Sequence, residues 1–487
     1  MDKNITGLQP AAIWKHFSEI CAIPHPSHHE EKIRQYVVDF ARAQGLEVHV
    51  DEADNVLVRK PATPGMEGRK GIVLQAHLDM VPQKNGDKTF DFEKDPVEAY
   101  VDGEWVTANG TTLGADNGIG AASILAVLES RELEHGPLEA LFTATEETGM
   151  DGAFGLKAGV LQGEILLNMD SETEGELYVG CAGGTDANIV FPYRQQPVAK
   201  RGNMALKLEV KGLKGGHSGI EIILQRANAN KLMFRLLSLL EAKFGAALAS
   251  VDGGGLRNAI PREAQAVVVI PADKAARVRK AVADYQATVT AEFKGIEESI
   301  SVTAAETEMP AKTMAPEYQG RLTRAINGCP NGVFTMSQSM EGLVQTSNNL
   351  ARVVSDGRKV KIQCLMRSSV RSEKEYMGVM IRSVFELAGA KVELTGSYDG
   401  WNPDMDSPIL KAMTESYESL YGRRPAVMAI HAGLECGIIG GKYPGLDMIS
   451  FGPTICYPHS PDEKVNIASV AKFWDFLCHT LKNAPKR

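Results

Sequence analysis

At 487 residues, 44% hydrophobic and 23% charged, the chain is long enough for two or three domains with substantial cores, which excludes a disordered or fibrous protein. A formal net charge of −9, with Lys and Arg scattered rather than clustered, supplies no basic stripe for tracking phosphates, so no nucleic-acid partner is expected. The opening MDKNITGLQPAAIWKHF lacks a basic segment followed by an apolar run, no stretch is long enough to span a bilayer, and the seven cysteines are dispersed without CxxC spacing, so the expectation is a cytoplasmic protein with reduced, mostly buried thiols and no membrane partner.

Residues 10–20 open with proline and place Ile13, Phe17 and Ile20 at helical spacing. The CAIPHPSHHEE stretch that follows reads as a polar turn, with His25, His28 and His29 expected on solvated surface. A second helix, 30–44, is stopped by Gly45. Residues 46–50 and 55–59 alternate like strands. Residues 71–76 are almost wholly apolar, as a strand covered on both faces should be. That strand delivers His77 and, two residues on, Asp79. Side chains two apart on a strand point the same way, so the imidazole can bind a metal while the carboxylate steadies it.

In GTTLGADNGIGAASILAVLES, Asp116 sits in a glycine-rich loop directly before a helix at 119–128. A strand at 138–145 runs into Glu146 and Glu147, and one at 164–169 ends at Asp170. Each of these acids, like His77, falls at or just beyond a strand end or in the loop leading to its helix, the edge where open parallel sheets build their sites. Packing gives no reason to gather four carboxylates there, because unpaired acids repel and resist burial; a multivalent cation would resolve this.

Around Thr185 the character changes. Strands at 188–191, 205–210, 267–270, 299–304 and 360–366 alternate with helices at 226–248, 275–293 and 373–388. From about Trp401 the chain returns to the first pattern, with a helix at 408–421, a strand at 447–451, the proline-rich loop GPTICYPHSPDEKV carrying His459, and a helix at 468–481. The expected fold is α/β: a discontinuous catalytic domain, 1–186 and 399–487, with a mixed, mostly parallel sheet flanked by helices, interrupted by an inserted α+β domain at 187–398.

If His77, Asp116, Glu147, Asp170 and His459 bind two divalent cations with one carboxylate bridging, two imidazoles and three carboxylates suit Zn²⁺, although Co²⁺ and Mn²⁺ accept similar ligands. Three carboxylates leave one of the four positive charges, which favours a bound hydroxide as the nucleophile of a two-metal hydrolase. Of the adjacent pair, Glu147 coordinates while Glu146 acts as general base and then general acid. Asp79 would hydrogen-bond the second nitrogen of His77.

AHLDMVP, GADNGIG, ATEETGMDG, NMDSE and HSPDEKV, in this order, resemble the co-catalytic zinc peptidase family that includes carnosinases, aminoacylases and carboxypeptidase G. GLKGGHSG resembles that family's lid or dimerisation domain. GADN stands where some members have Asp-Asp, and the insert is larger than in simpler members. CAGGTD, LRNAIP and HAGLECG narrow the resemblance to bacterial dipeptidases, implying hydrolysis of unblocked dipeptides, Xaa-His included. The resemblance implies Asp116 as the bridging ligand, His77 and Asp170 on one zinc, Glu147 and His459 on the other, and a cis peptide after Asp116. It further implies that His217 stabilises the oxyanion, from its own chain or a partner's, that Asn258, Arg367 and Gly433 face the substrate, and that the insert forms a homodimer. His431 and Glu435 are read as structural. The competing readings are an N-acyl amino acid deacylase and a catalytically silent binding protein on the same fold.

Overall fold

Strand Ile72–His77 is buried at every position, as an apolar strand packed on both faces must be. It pairs in parallel with Leu138–Thr143 on one side and Ile165–Asn168 on the other. Asp447–Ser450 then lies parallel to Ile165–Asn168, so a late segment completes the centre of an early sheet. Antiparallel pairing takes over at Val56–Lys60 and at Glu176–Cys181. The eight strands run Glu47–Val50, Val56–Lys60, Leu138–Thr143, Ile72–His77, Ile165–Asn168, Asp447–Ser450, Glu176–Cys181, Ala426–Ile430. This is the mixed sheet, parallel at its centre and flanked by helices, that the apolar runs predict. It belongs to a computed structural model that describes residues 4–199 and 201–487.

Helix Ala115–Glu129 is buried along nearly its whole length and packs between the strand Ile72–His77 and helix Ala11–Cys21. The two helices approach closely because Gly118 has no side chain: a Cβ there would stand 3.0 Å from a ring carbon of Phe17. Phe17 and Ile13 are fully buried in this contact, each contributing about 2 kcal/mol of transfer free energy. Helices Pro408–Tyr421 and Ile467–Lys482 pack on each other through Tyr417 and Phe476, whose rings meet edge to face at 5.2 Å.

The chain forms two compact units. The first runs to Cys181 and resumes over Trp401–Ala429 and Leu434–Arg487; the second is Ala182–Gly400 with Ile430–Gly433. That last tetrapeptide departs from the expected partition, which gave all of 399–487 to the first domain. The reason is local: Ala182 N–H donates to both Ile430 O at 3.1 Å and Ala432 O at 2.9 Å.

The second unit is built on an antiparallel sheet ordered Ser301–Glu306, Asn203–Lys211, Ala264–Pro271, Ala247–Gly254, Val344–Ser355, Lys359–Ser368, Gly183–Pro192, Lys391–Tyr398, with Gly332–Met336 beside Val344–Ser355. Helices Ala229–Phe244, Ala275–Glu292, Pro316–Gly328 and Arg371–Leu387 contribute to its apolar core. The helix expected over 226–248 is shorter than its periodicity suggests. Asn228 Oδ1 caps it by accepting from the N–H groups of Asn230 and Lys231 at 3.0 and 3.2 Å, and Gly245 ends it in the left-handed region.

The turn after the first helix also differs from expectation. His28 and His29 are exposed, but His25 is buried. Its Nδ1 lies 2.5 Å from Ile23 O, and its carbonyl accepts from Met80 N–H at 3.2 Å, while Ser27 N–H donates to Met80 O at 3.3 Å. This turn docks along the segment after His77, which takes His25 out of water. All seven cysteines are free, five of them buried. No helix among the described residues is long and apolar enough to cross a membrane.

Candidate metal centre

Three neighbouring parallel strands end side by side at His77, Thr143 and Asn168, so the residues at or just after those ends, His77, Glu146, Glu147 and Asp170, emerge at one sheet edge. Asp116 comes to the same edge from the amino end of its helix, where Asp116 and Asn117 leave helical geometry and the peptide between them is cis. His459 arrives from the late loop with φ of 59°.

Asp116 stands between two imidazoles. Its Oδ1 is 3.2 Å from His77 Nε2 and its Oδ2 is 3.1 Å from His459 Nε2. Asp170 Oδ1 lies 3.3 Å from His77 Nε2, and Glu147 Oε1 lies 3.0 Å from His459 Nε2. Among the described residues, three overlapping groups bring potential ligand atoms within 4.8 Å of one another: His77, Asp116 and Asp170; Asp116, Glu147 and His459; and His77, Glu146 and Glu147.

Each imidazole nitrogen thus faces two carboxylate oxygens, more acceptors than one N–H can serve. Glu147 Oε1 is buried and faces the same His459 Nε2 that Asp116 Oδ2 faces. Both facts fit cations held by these donors, two imidazoles and carboxylates being a donor set for Zn²⁺ and its neighbours. The electrostatics carry the same imprint. Hydrogen bonding to the carboxylates of Asp116 and Glu147 holds the His459 imidazole up at about 11. Burial would lower His77, but Asp170 and Asp116 overcome it and hold it well above its ordinary value. Burial pushes Asp170 up to about 6 and Glu146 well above the carboxylate range, with Asp170, Glu435 and Glu147 adding to the rise.

Asp79 makes more contacts than the one expected between its carboxylate and the His77 ring. His77 Nδ1 is 3.0 Å from the backbone carbonyl of Asp79 and 3.4 Å from its carboxylate. The carboxylate itself accepts from Ser27 Oγ–H at 2.7 Å and from the N–H groups of Glu146 and Glu147 at 2.8 and 3.2 Å. Burial alone would raise this group, yet His77, Ser27 and the Glu146 N–H outweigh it and keep Asp79 ionised, at about 2. A second buried acid, Glu30, accepts from Thr145 N–H at 3.0 Å and Thr145 Oγ–H at 2.8 Å, fixing the left-handed residue just before Glu146.

Sequence reasoning passed over Ser27, Glu30, Asn117 and Glu463. Asn117 Nδ2 donates to Asp170 Oδ1 and, at 3.1 Å, to Met169 O. Glu435, read as structural, lies fully buried; it accepts from Gln75 Nε2 at 2.6 Å and Thr143 Oγ–H at 2.8 Å, and burial pushes it up to about 7. The available signal was adjacency to the motifs, since Ser27 and Glu30 flank the histidine turn and Glu463 ends HSPDE.

His217, Asn258, Arg367 and Gly433 all belong to the second unit. His217 Nδ1 accepts from Gly219 and Ile220 N–H at 3.3 and 3.1 Å, which assigns the ring proton to Nε2 and leaves that edge a donor. Burial and the Arg367 charge keep this ring below its ordinary pKa. Arg367 is buried with Nε unpartnered. A Cβ on Gly219 would stand 3.0 Å from His217 Cε1, 3.2 Å from Arg367 Nε and against His431 O, so these three groups surround a glycine. His431, pushed down to about 3 by burial and Arg367, sets Nε2 2.7 Å from Ser347 Oγ. Asn258 is exposed, its carbonyl accepting from Ser218 N–H at 2.8 Å. Gly433 lies beside the Tyr398 hydroxyl.

Comparison with known proteins places this centre in context. The chain is 47% identical over 484 residues to the cytosol non-specific dipeptidase of Escherichia coli, covering 99% of this chain and 100% of that one. The crystal structure of aminoacylhistidine dipeptidase from Vibrio alginolyticus superposes with a TM-score of 0.95 at 50% identity over 99% of both chains. Aminopeptidase PepT from Bacillus cereus, 15% identical with a TM-score of 0.58 over 98% of this chain and 99% of its own, shares the fold. Residues 73–483, well over half of the chain, match peptidase family M20/M25/M40, and the chain belongs to that family.

Proposed function

We propose that this chain is a two-metal dipeptidase that hydrolyses unblocked dipeptides, Xaa-His among them. The observation that carries the reading is Asp116, whose two oxygens each face a different imidazole, with a second acid beside each ring. The names borne by the E. coli and Vibrio relatives support the substrate class. His77, Asp116 and Asp170 would hold one ion and Asp116, Glu147 and His459 the other, zinc by preference, with Co²⁺ or Mn²⁺ suited to the same donors. Such ions polarise a scissile carbonyl and acidify water.

The chain's own groups do the rest. Glu146 takes the proton of the attacking water and returns it to the leaving nitrogen. Its burial raises proton affinity, and a nearby dication would lower it again. Asp79 keeps the Glu146–Glu147 backbone in register with His77. As the family resemblance implies, His217 Nε2–H, of this chain or of a partner's, donates to the developing oxyanion, and the Arg367 fork takes the terminal carboxylate, with Asn258 and Gly433 also facing the substrate. The chain works in the cytoplasm as a homodimer joined through the second unit.

A panel of free and N-acetylated dipeptides tests the substrate class. Free dipeptides should turn over and blocked ones should not. Turnover of N-acyl amino acids alone would make the chain a deacylase, and no turnover in metal-replete protein would leave a silent binding protein. Chelation should abolish activity and zinc restore it; full activity in protein shown to be metal-free removes the ions from the mechanism. Asp79→Asn, which exchanges a carboxylate oxygen for an amide donor opposite N–H groups, should cost about 10- to 100-fold in metal affinity or kcat/KM. Wild-type values for both would reduce Asp79 to packing.

A further inference from the structure

Glu463 lies four residues after His459, on a different segment from Asp116, and is almost completely buried. Its carboxylate accepts four consecutive backbone N–H groups: Leu113 at 2.9 Å and Gly114 at 3.0 Å on Oε2, Ala115 at 2.8 Å and Asp116 at 3.2 Å on Oε1. No lysine or arginine pairs with it among the described ion pairs. A buried acid placed this way stands in for the missing hydrogen-bond acceptors at a helix start, and here that start is the turn whose last residue is Asp116.

The rest of Glu463 is tied as firmly. Its carbonyl accepts from Thr107 Oγ–H at 2.7 Å, its N–H donates to Ser460 O at 3.1 Å, and the next residues pair with Trp105–Ala108 through Val465 and Val106. The loop that presents His459 and the loop that presents Asp116 are therefore stapled together at one carboxylate. We infer that Glu463 is a positioning residue for the dinuclear centre: it fixes the Asp116 backbone against the His459 loop so that the Asp116–Glu147–His459 donor set is assembled before any ion binds.

Resting on the two-metal reading, the inference is tested by metal binding, which does not depend on what the substrate is. Glu463→Gln keeps the shape but turns one acceptor into a donor facing two N–H groups. The metal-free variant should stay folded and bind one equivalent of Zn²⁺ as wild type does, with the second at least about tenfold weaker. Its kcat should fall while KM holds, and excess Zn²⁺ should restore kcat, which loss of packing alone would not allow. Two equivalents bound with wild-type affinity overturn the proposal. A wild-type chain binding a single equivalent at most would instead overturn the two-metal reading. Should the variant not fold, amide hydrogen exchange in metal-free wild-type protein decides: slow exchange at residues 113–116 is expected, and exchange at open-loop rates that slows only when Zn²⁺ is added overturns the preassembly.

Discussion

Replacing Glu146 with glutamine is expected to lower kcat by about 10³-fold, within the range that general acid–base catalysis supplies, while leaving the metal content of the protein unchanged. Glutamine keeps the length and burial of the side chain but cannot take a proton. The adjacent Glu147 is not a substitute, since its Oε1 is directed at His459 Nε2, 3.0 Å away. Backbone placement should survive, because the Glu146 N–H is held by Asp79 regardless of the side chain. Metal analysis beside single-turnover kinetics checks this. Glu146 also lies in a group with His77 and Glu147 that could hold an ion, so loss of one metal equivalent in the variant would reassign it from proton carrier to ligand.

A larger effect is expected at Asp116. Substitution with alanine removes the one carboxylate that faces both His77 and His459. It deprives both donor sets of a member, so both ions should weaken together and activity should fall below detection at stoichiometric metal. His77→Ala, in contrast, should weaken one ion more than the other. Calorimetric titration of the two metal-free variants distinguishes them. If Asp116→Ala retained two tightly bound equivalents, a bridging place for this residue would be untenable.

How much of this was legible in the residues depends on what kind of interaction fixes each part. Ile72–His77 was readable because both its faces are buried, leaving an uninterrupted apolar run that ends at the first polar, chemistry-bearing side chain. Helix Pro408–Tyr421 carried its own punctuation, with proline at its start and Gly422 left-handed after its end. Strand Val344–Ser355 was not readable, since its Ser347-Asn348-Asn349 core reads as a turn. It is a buried strand because Asn348 donates to Pro330 O at 2.7 Å and Asn349 to Arg257 O and Ala259 O, each at 2.9 Å. Those partners are set by tertiary structure, and local composition cannot announce them.

The same division holds at the centre. The placement of His77, Asp116, Glu147, Asp170 and His459 at one edge could be anticipated from strand ends and motif order. The supports of that edge could not, because Ser27, Glu30 and Glu463 act largely on backbone N–H groups, which leave no trace in a neighbour's identity. His25 failed for a related reason. A polar turn is solvated by default, and only its pairing with the segment around Met80 folds it inward.

The parallel pairing of Asp447–Ser450 with Ile165–Asn168 has a consequence for biosynthesis. As the chain leaves the ribosome, four of the five proposed ligands and most of the central sheet are made before the second unit begins, yet the sheet keeps an open slot beside Ile165–Asn168 until that unit has been translated. His459 and Glu463 emerge later still. The second unit, continuous from Ala182 to Gly400 apart from its Ile430–Gly433 tetrapeptide, can thus largely fold while its host waits, and a product interrupted before Leu434 would expose an unfilled strand edge and lack His459 and Glu463. Only the last stretch of translation closes the sheet and brings His459 and Glu463 to the early residues, so finishing the chain and assembling the proposed ion site become one event.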